Sequence, residues 1–364
     1  MKFSYADRIK KPTDILKQPF QDVCRFIGRG VFHLVRRALP PPCAKKQIAR
    51  LLLVRRNRLG DAICLLPAIQ ALKEADPGIH VGVLANPYNA PVFSMSPAID
   101  KVHVLPERYC GNRWLLRWHP EMQAIRGEEY DLAVSATLTP SSHAARLCGY
   151  SGAIHSAGIT STRGSVYDLL FDCPVSPEQI SHVHQVEKIA DLLRASGMNL
   201  GQTLPAARLV LEHAPARRKD LVCLCPEVHR PESEWPVSSY AALVAELRRR
   251  WPSVRIQLML QGDGPYVALA GLEGVEQVRN PVFHDFAAKL AEAALVVCSE
   301  GGVSHLAPAL GTPAVVLSGV AIRQTWAPWS DHAVLLESTG DAGKIGVEEV
   351  LAAIESLAGD GFRQ

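Results

Sequence analysis

RLLLVRRNRLGDAICLLPAIQAL, residues 50–72, and LVVCSEGGVSHLAPALGTPAVVLSGV, residues 295–320, decide how this chain is read. Each runs from an apolar stretch through a glycine-containing turn into a segment of helical periodicity, the order of a buried strand, a tight turn and an amphipathic helix. That order points backbone N–H groups and a helix N-terminus at an anionic ligand. One such element is common; a pair, one in each half of a 364-residue chain, predicts two nucleotide-fold domains that face a shared cleft.

Working outward, short Val/Leu/Ile runs alternate with helical periodicity from residue 50 onward, which predicts an α/β fold with two parallel sheets, each covered by helices on both faces. Strands are expected at 50–55, 79–84, 101–105, 131–135 and 154–157 in the first half. In the second half they are expected at 221–225, 254–260, 275–278, 295–298 and 314–318. Helices are expected at 62–75, 141–148, 182–196, 237–250, 284–293, 303–310 and 347–357. A stretch rich in Gly, Pro and Asn, 197–215, is the candidate hinge. The domain reading is an N-terminal extension over 1–48, a first Rossmann-like domain over 49–205, a second over 206–340, and a C-terminal helix and tail over 341–364.

Charge is unevenly spread. Residues 1–50 hold twelve lysines and arginines against three aspartates, a net +9, which leaves −6 for the rest of a chain whose total is +3. The body therefore lacks a nucleic-acid footprint. Within the leader, Val23, Phe26, Ile27, Val31, Leu34 and Val35 form an apolar stripe flanked by arginines. That pattern suits a helix lying on an anionic membrane surface, or equally one packed on the protein's own body. It is too short and too charged to span a bilayer. Nine scattered cysteines without a CxxC pair, and thirteen histidines without HExxH spacing, predict core thiols in a reducing cytoplasm and no metal site.

The first turn offers Gly60 for a close backbone approach and Asp61 at the carboxyl end of a strand, where carboxylates face the ligand crevice. Asp61 either caps the following helix or serves as general base toward an acceptor hydroxyl. In the second turn Gly301 and Gly302 let a backbone touch a ligand, and the helix dipole favours a diphosphate. Ser304 and His305 could add donors from the first helical turn. Glu300 would repel phosphate and suits sugar hydroxyls instead.

These two motifs resemble those of a known family. VRRNRLGDAICLLPAIQALKEADPGIHVGVLA, residues 54–85, resembles the N-terminal signature of the family 9 glycosyltransferases, the heptosyltransferases of lipopolysaccharide inner-core synthesis. SEGGVSHLAPALGTPAVVLSG, residues 299–319, is similar to their donor-binding signature. The resemblance spans about residues 49–340. It implies a GT-B fold and inverting, metal-independent transfer of a heptose from an ADP-sugar, without a cofactor, to an anionic glycolipid or glycan acceptor held by the first domain. It implies Asp61 as catalytic base, and Gly301, Gly302, Val303 and His305 as the diphosphate-binding turn. It also implies a cytoplasmic enzyme, at the inner face of the cytoplasmic membrane if the leader docks there.

Three departures from the family pattern stand out. Familiar members have Asp and Thr where this chain has Glu300 and Gly301. A lysine thought to contact phosphate is replaced by Ser233, two residues before Trp235, which makes Arg230 the candidate substitute cation. A glutamate expected near the donor ribose after Gly262 is absent, and Asp263 stands in that region. Arg56, Arg58 and Arg163 are the candidate contacts for an anionic acceptor. Two competing readings are a sugar-nucleotide epimerase of related architecture and a degenerate nucleotide-sugar-binding protein without turnover.

Overall fold

The structure is a computed structural model that describes residues 48–106, 115–228 and 230–358. The basic leader and its apolar stripe lie outside the described residues, as does the end of the C-terminal tail.

The first domain carries β1 (Arg50–Val54), β2 (His80–Ala85), β3 (Lys101–Val104), β4 (Leu132–Ser135), β5 (His155–Ile159) and β6 (Cys173–Val175). Its order is β3-β2-β1-β4-β5-β6, and every pairing is parallel. The second carries β7 (Arg218–Cys225), β8 (Arg255–Leu260), β9 (Val275–Arg279), β10 (Ala293–Ser299), β11 (Ala314–Ser318) and β12 (Ala333–Glu337), in the order β12-β11-β10-β7-β8-β9 and again all parallel. Both sheets thus share one doubly wound topology, and each has a switch point beside its central strand, where ligands of such sheets bind. The first motif turn leaves β1 and the second leaves β10, so each lies at the carboxyl edge of its sheet beside that point.

In this topology the apolar runs become strands because both sheet faces are covered: Leu51, Leu52, Leu53 and Val54 are all buried. One apolar cluster runs through both domains, from Leu51 and Leu53 by way of Leu59 and Ile63 to Leu306 and Val316. The outer faces have their own clusters, around Leu52 and Phe171 in the first domain and around Trp235, Tyr240 and Leu351 in the second.

Two differences from the expected elements have clear causes. The helix expected over 62–75 is two helices, α1 (Leu59–Ile63) and α2 (Leu66–Ala75), because Pro67 in the first turn of α2 supplies no N–H to continue the ladder. Strands β6 and β12 were not anticipated; both are edge strands, and β6 is three residues long with Pro174 at its centre. The last expected helix is present over Val347–Ala358, and its Val350, Leu351 and Ile354 complete the core of the second sheet.

The segment expected as a hinge is bonded to both domains. Arg208 N–H donates to Gln70 Oε1 (3.0 Å) and Val210 N–H to Met95 O (2.8 Å), while Leu209 N–H donates to Ala309 O (2.8 Å) and Trp329 Nε1 to Leu204 O (3.1 Å).

Candidate functional site

At the first turn Arg58 occupies the N-cap of α1 and Asp61 the third helical position. Asp61 is therefore not the N-cap residue its place in the sequence suggested, although its Oδ2 accepts from Arg58 N–H (3.3 Å) in a capping box. Its other oxygen is held by a residue that sequence reasoning passed over. Arg55, 1% exposed, places Nη2 2.7 Å from Asp61 Oδ1, donates Nε–H to Asp61 O (3.2 Å), and is anchored on the far side by Ala136 O. A guanidinium this deep sits below its ordinary pKa because burial strips its hydration, while the Asp61 charge pulls the other way. The pair fixes the carboxylate at the edge of an open cleft of about 360 Å³ lined by Arg56, Asn57, Arg58, Asp61, Asn86 and Tyr88.

Of the three arginines expected to meet an acceptor, Arg58 is exposed on this cleft. Arg56 lines it too, but its Nη2 donates to Leu105 O and Pro106 O and its Nη1 lies 2.6 Å from His143 Nε2, so much of the guanidinium braces neighbouring loops. Arg163 is exposed in the turn after β5 and is not among the residues lining the cleft. Asn86 went unnoticed in the sequence. Its Nδ2 donates to Arg56 O (2.9 Å), and its Oδ1 accepts from Tyr88 N–H (2.9 Å), which holds the 61% exposed Tyr88 on the same cleft as Asp61.

The second turn opens α9 (Gly302–Ala309). Gly301 is its N-cap at φ 142° and ψ −155°, a conformation that an L side chain rarely adopts, and no capping side chain covers the first-turn amides. Val303 and Gly302 supply two of those amides. Ser304 is different: its hydroxyl donates to Gly301 O (2.7 Å) and the residue is buried, so its proton is spent on the turn itself. Glu300 lies beside the turn with Arg230 Nε 3.6 Å from its Oε1, which brings together two residues expected on the donor side. Ser233, at the position of the family's lysine, is buried and accepts from Gly319 N–H. Asp263 is paired with Arg279 on the surface after β8, and Glu227, also missed in the sequence, reaches the same loop to accept from Gln261 N–H.

The two turns meet directly. A Cβ on Gly60 would lie 3.1 Å from Cδ2 of His305, and a Cβ on Gly302 would lie 2.9 Å from Cδ2 of Leu59. The glycines that looked suited to a ligand are also what allows α1 and α9 to pack this closely. His305 is buried in that contact, with Nδ1 3.9 Å from Cys64 Sγ and its ring edge-on to Trp326. Burial, helped by His184, pulls its pKa down to about 4, so near neutrality it is an uncharged imidazole and not a cation for a diphosphate.

This has a consequence for stability. Below about pH 6.5 the unfolded chain binds a proton at His305 that the folded chain refuses until about pH 4, so folding stability falls as pH drops through that window. Denaturant midpoints measured from pH 7 to pH 4 should fall more steeply for the wild type than for His305→Gln. Equal slopes would show that this imidazole is not the group responsible.

Two doubly wound domains, with a carboxylate cleft on one and an uncapped glycine turn on the other, define the GT-B class of two-domain α/β proteins. The chain belongs to glycosyltransferase family 9 (heptosyltransferase), whose family model matches residues 118–349, and it is thus a glycosyltransferase. It is 23% identical over 291 residues to lipopolysaccharide heptosyltransferase 1 of Escherichia coli (strain K12), covering 74% of this chain and 88% of that protein. Among solved structures it is similar in fold to E. coli heptosyltransferase WaaC with ADP, with a TM-score of 0.69 and 21% identity over 85% of this chain and 99% of that one. A family 9 glycosyl transferase from Veillonella parvula gives a TM-score of 0.74 at 16% identity, over 87% of this chain and 99% of that one.

Proposed function

We propose that this chain transfers a heptose from an ADP-sugar to an anionic acceptor of the lipopolysaccharide-core type, with inversion and without a metal. The observation that carries the reading is the Asp61 carboxylate, held by Arg55 at the mouth of the cleft while the uncapped turn of α9 abuts the same helix. In this reading Asp61 takes the proton of the acceptor hydroxyl as it attacks the anomeric carbon from the face opposite the leaving group. The diphosphate departs onto the first-turn amides of Gly302 and Val303 and the helix dipole, a preorganised electrostatic cradle. Arg230 supplies the cation, and Glu300, which it neighbours, accepts from sugar hydroxyls. His305 acts as a neutral part of the wall. Asp263 serves the nucleotide end of the donor together with Arg279. The exposed Arg58 and the Tyr88 ring receive the acceptor, with Arg56 and Arg163 at its periphery. The donor relationship is supported by the solved relatives, one of which contains ADP-2-deoxy-2-fluoro heptose.

A panel of ADP-, GDP- and UDP-sugars, with products identified by mass, tests this. A glycosylated acceptor formed with ADP-heptose is expected. An isomerised donor would favour an epimerase, and binding without product a degenerate protein. The same assay should keep its rate in excess EDTA; loss of rate restored by Mg²⁺ or Mn²⁺ would defeat the metal-independent mechanism.

Among the described residues no helix is long and apolar enough to cross a membrane. Contact with the cytoplasmic leaflet would fall to the basic leader, at about 1 kcal/mol per basic residue near the surface. Full-length protein should sediment with anionic vesicles at low salt, and protein lacking residues 1–44 should not. Equal sedimentation of both would remove the leader from that role.

A further inference from the structure

At the other edge of the first sheet, β5 begins with His155 and its neighbour β6 begins with Cys173, preceded by Asp172. A nitrogen of His155, a carboxylate oxygen of Asp172 and Sγ of Cys173 all lie within 4.8 Å of one another. We propose that His155, Asp172 and Cys173 form a binding site for one zinc-class divalent transition-metal ion, remote from the sugar-transfer cleft.

The donor set is chemically selective. Thiolate and imidazole together favour zinc, cobalt and their neighbours over magnesium or calcium, which take oxygen ligands. Metal–ligand bonds of about 2.0–2.3 Å in a tetrahedral site separate ligand atoms by roughly 3.3–3.8 Å. With all three ligand atoms within 4.8 Å of one another, closing the site takes shifts of about 1 Å. The contact of His155 Nδ1 with Asp172 Oδ2, now 2.6 Å, must widen, by about 0.7 Å on the same geometry.

The surroundings also hold the ligands as a metal site requires. Ser156 N–H donates to Asp172 Oδ1, which leaves Oδ2 turned toward His155 and sets the carboxylate plane. Pro174 follows Cys173 directly and restricts the backbone that carries the thiol. His155 and Cys173 are half-buried and Asp172 is exposed, so an ion has access from solvent.

The balance is simple. A divalent ion bonds to the imidazole nitrogen, the carboxylate and the sulfur, and the thiol releases one proton to solvent; with two anionic ligands the filled site is neutral. Asp61 follows the carboxyl end of β1, whereas these residues stand at the amino ends of β5 and β6 in the same parallel sheet. The ion would therefore tie the edge strand β6 to its neighbour β5 and leave the transfer step untouched.

The test uses the full chain, stripped with EDTA and titrated with Co²⁺ and with Zn²⁺. One equivalent of metal taken up at micromolar concentration, a thiolate-to-cobalt charge-transfer band, release of about one proton per ion and a raised melting temperature are expected. Cys173→Ser should lose the band and the equivalent, and Asp172→Asn and His155→Gln should lose the equivalent. Three variants guard against one failing to fold. Absence of uptake by the full chain, or variants that keep both the band and the equivalent, would overturn the site.

Discussion

Asp61→Asn is expected to lower turnover by ~10²- to 10⁴-fold, the usual worth of a general base, while ADP affinity stays near that of the wild type. The amide cannot accept the acceptor's proton, yet it occupies the same volume and can still accept from Arg55 or from Arg58 N–H. Folding does not escape unharmed. Arg55 is 1% exposed, and an amide is a weaker partner for its guanidinium than a carboxylate, so stability should fall by up to about 3 kcal/mol. The two effects are separable by measuring turnover, ADP binding and melting temperature on one preparation. A destabilised variant with near wild-type turnover would reduce Asp61 to a partner of Arg55 and a member of the capping box.

The second large effect is expected at Gly302. A valine there would drive its Cβ to within 2.9 Å of Leu59 Cδ2 and 3.1 Å of Leu59 Cβ, forcing α1 and α9 apart. Overpacking of this kind costs about 1–3 kcal/mol, and a shift of the turn on the order of 1 Å would cost ~10²-fold in rate. Gly302→Val should therefore lose stability, ADP affinity and turnover together. Adding Leu59→Ala removes Cγ and Cδ2 and relieves most of the clash, leaving the Leu59 Cβ contact at 3.1 Å. The double variant should regain stability yet still bind ADP poorly, because the diphosphate in the proposed complex lies against the same backbone. Recovery of both would mean that Gly302 serves only the contact between domains.

Most strands of this fold are legible because a parallel sheet covered on both faces must be built from continuous apolar runs, as in Leu51 to Val54 and Leu295 to Cys298. Strands β6 and β12 are not, since β6 is three residues long with Pro174 breaking the pattern outright and only Leu335 of β12 is buried. Around the site, Asp61 could be picked out by its place after a strand and a glycine. Arg55 could not: its meaning lies in the backbone folding back until its guanidinium meets a carboxylate six residues on and a carbonyl at Ala136. Ser304 and His305 looked like free donors because their residue types allow it, and only burial shows one spent on Gly301 O and the other held uncharged. Glycines say least, having no side chain to indicate what they face. The cluster of His155, Asp172 and Cys173 is equally silent in the chain, where 17 residues separate the histidine from Asp172.

The apolar cluster that runs from Leu51 through Leu59 to Val316 bears on how this chain can be taken apart. Topologically it is two modules, and the stretch at 204–211 invites a cut. A cut there would strip hydrogen bonds from both sides, and separating the halves would bare Leu59, Ile63 and Leu306 to water. The halves are distinct in architecture and inseparable in cooperativity, so heat or denaturant should melt them in a single transition, and neither should be recovered as a soluble fragment.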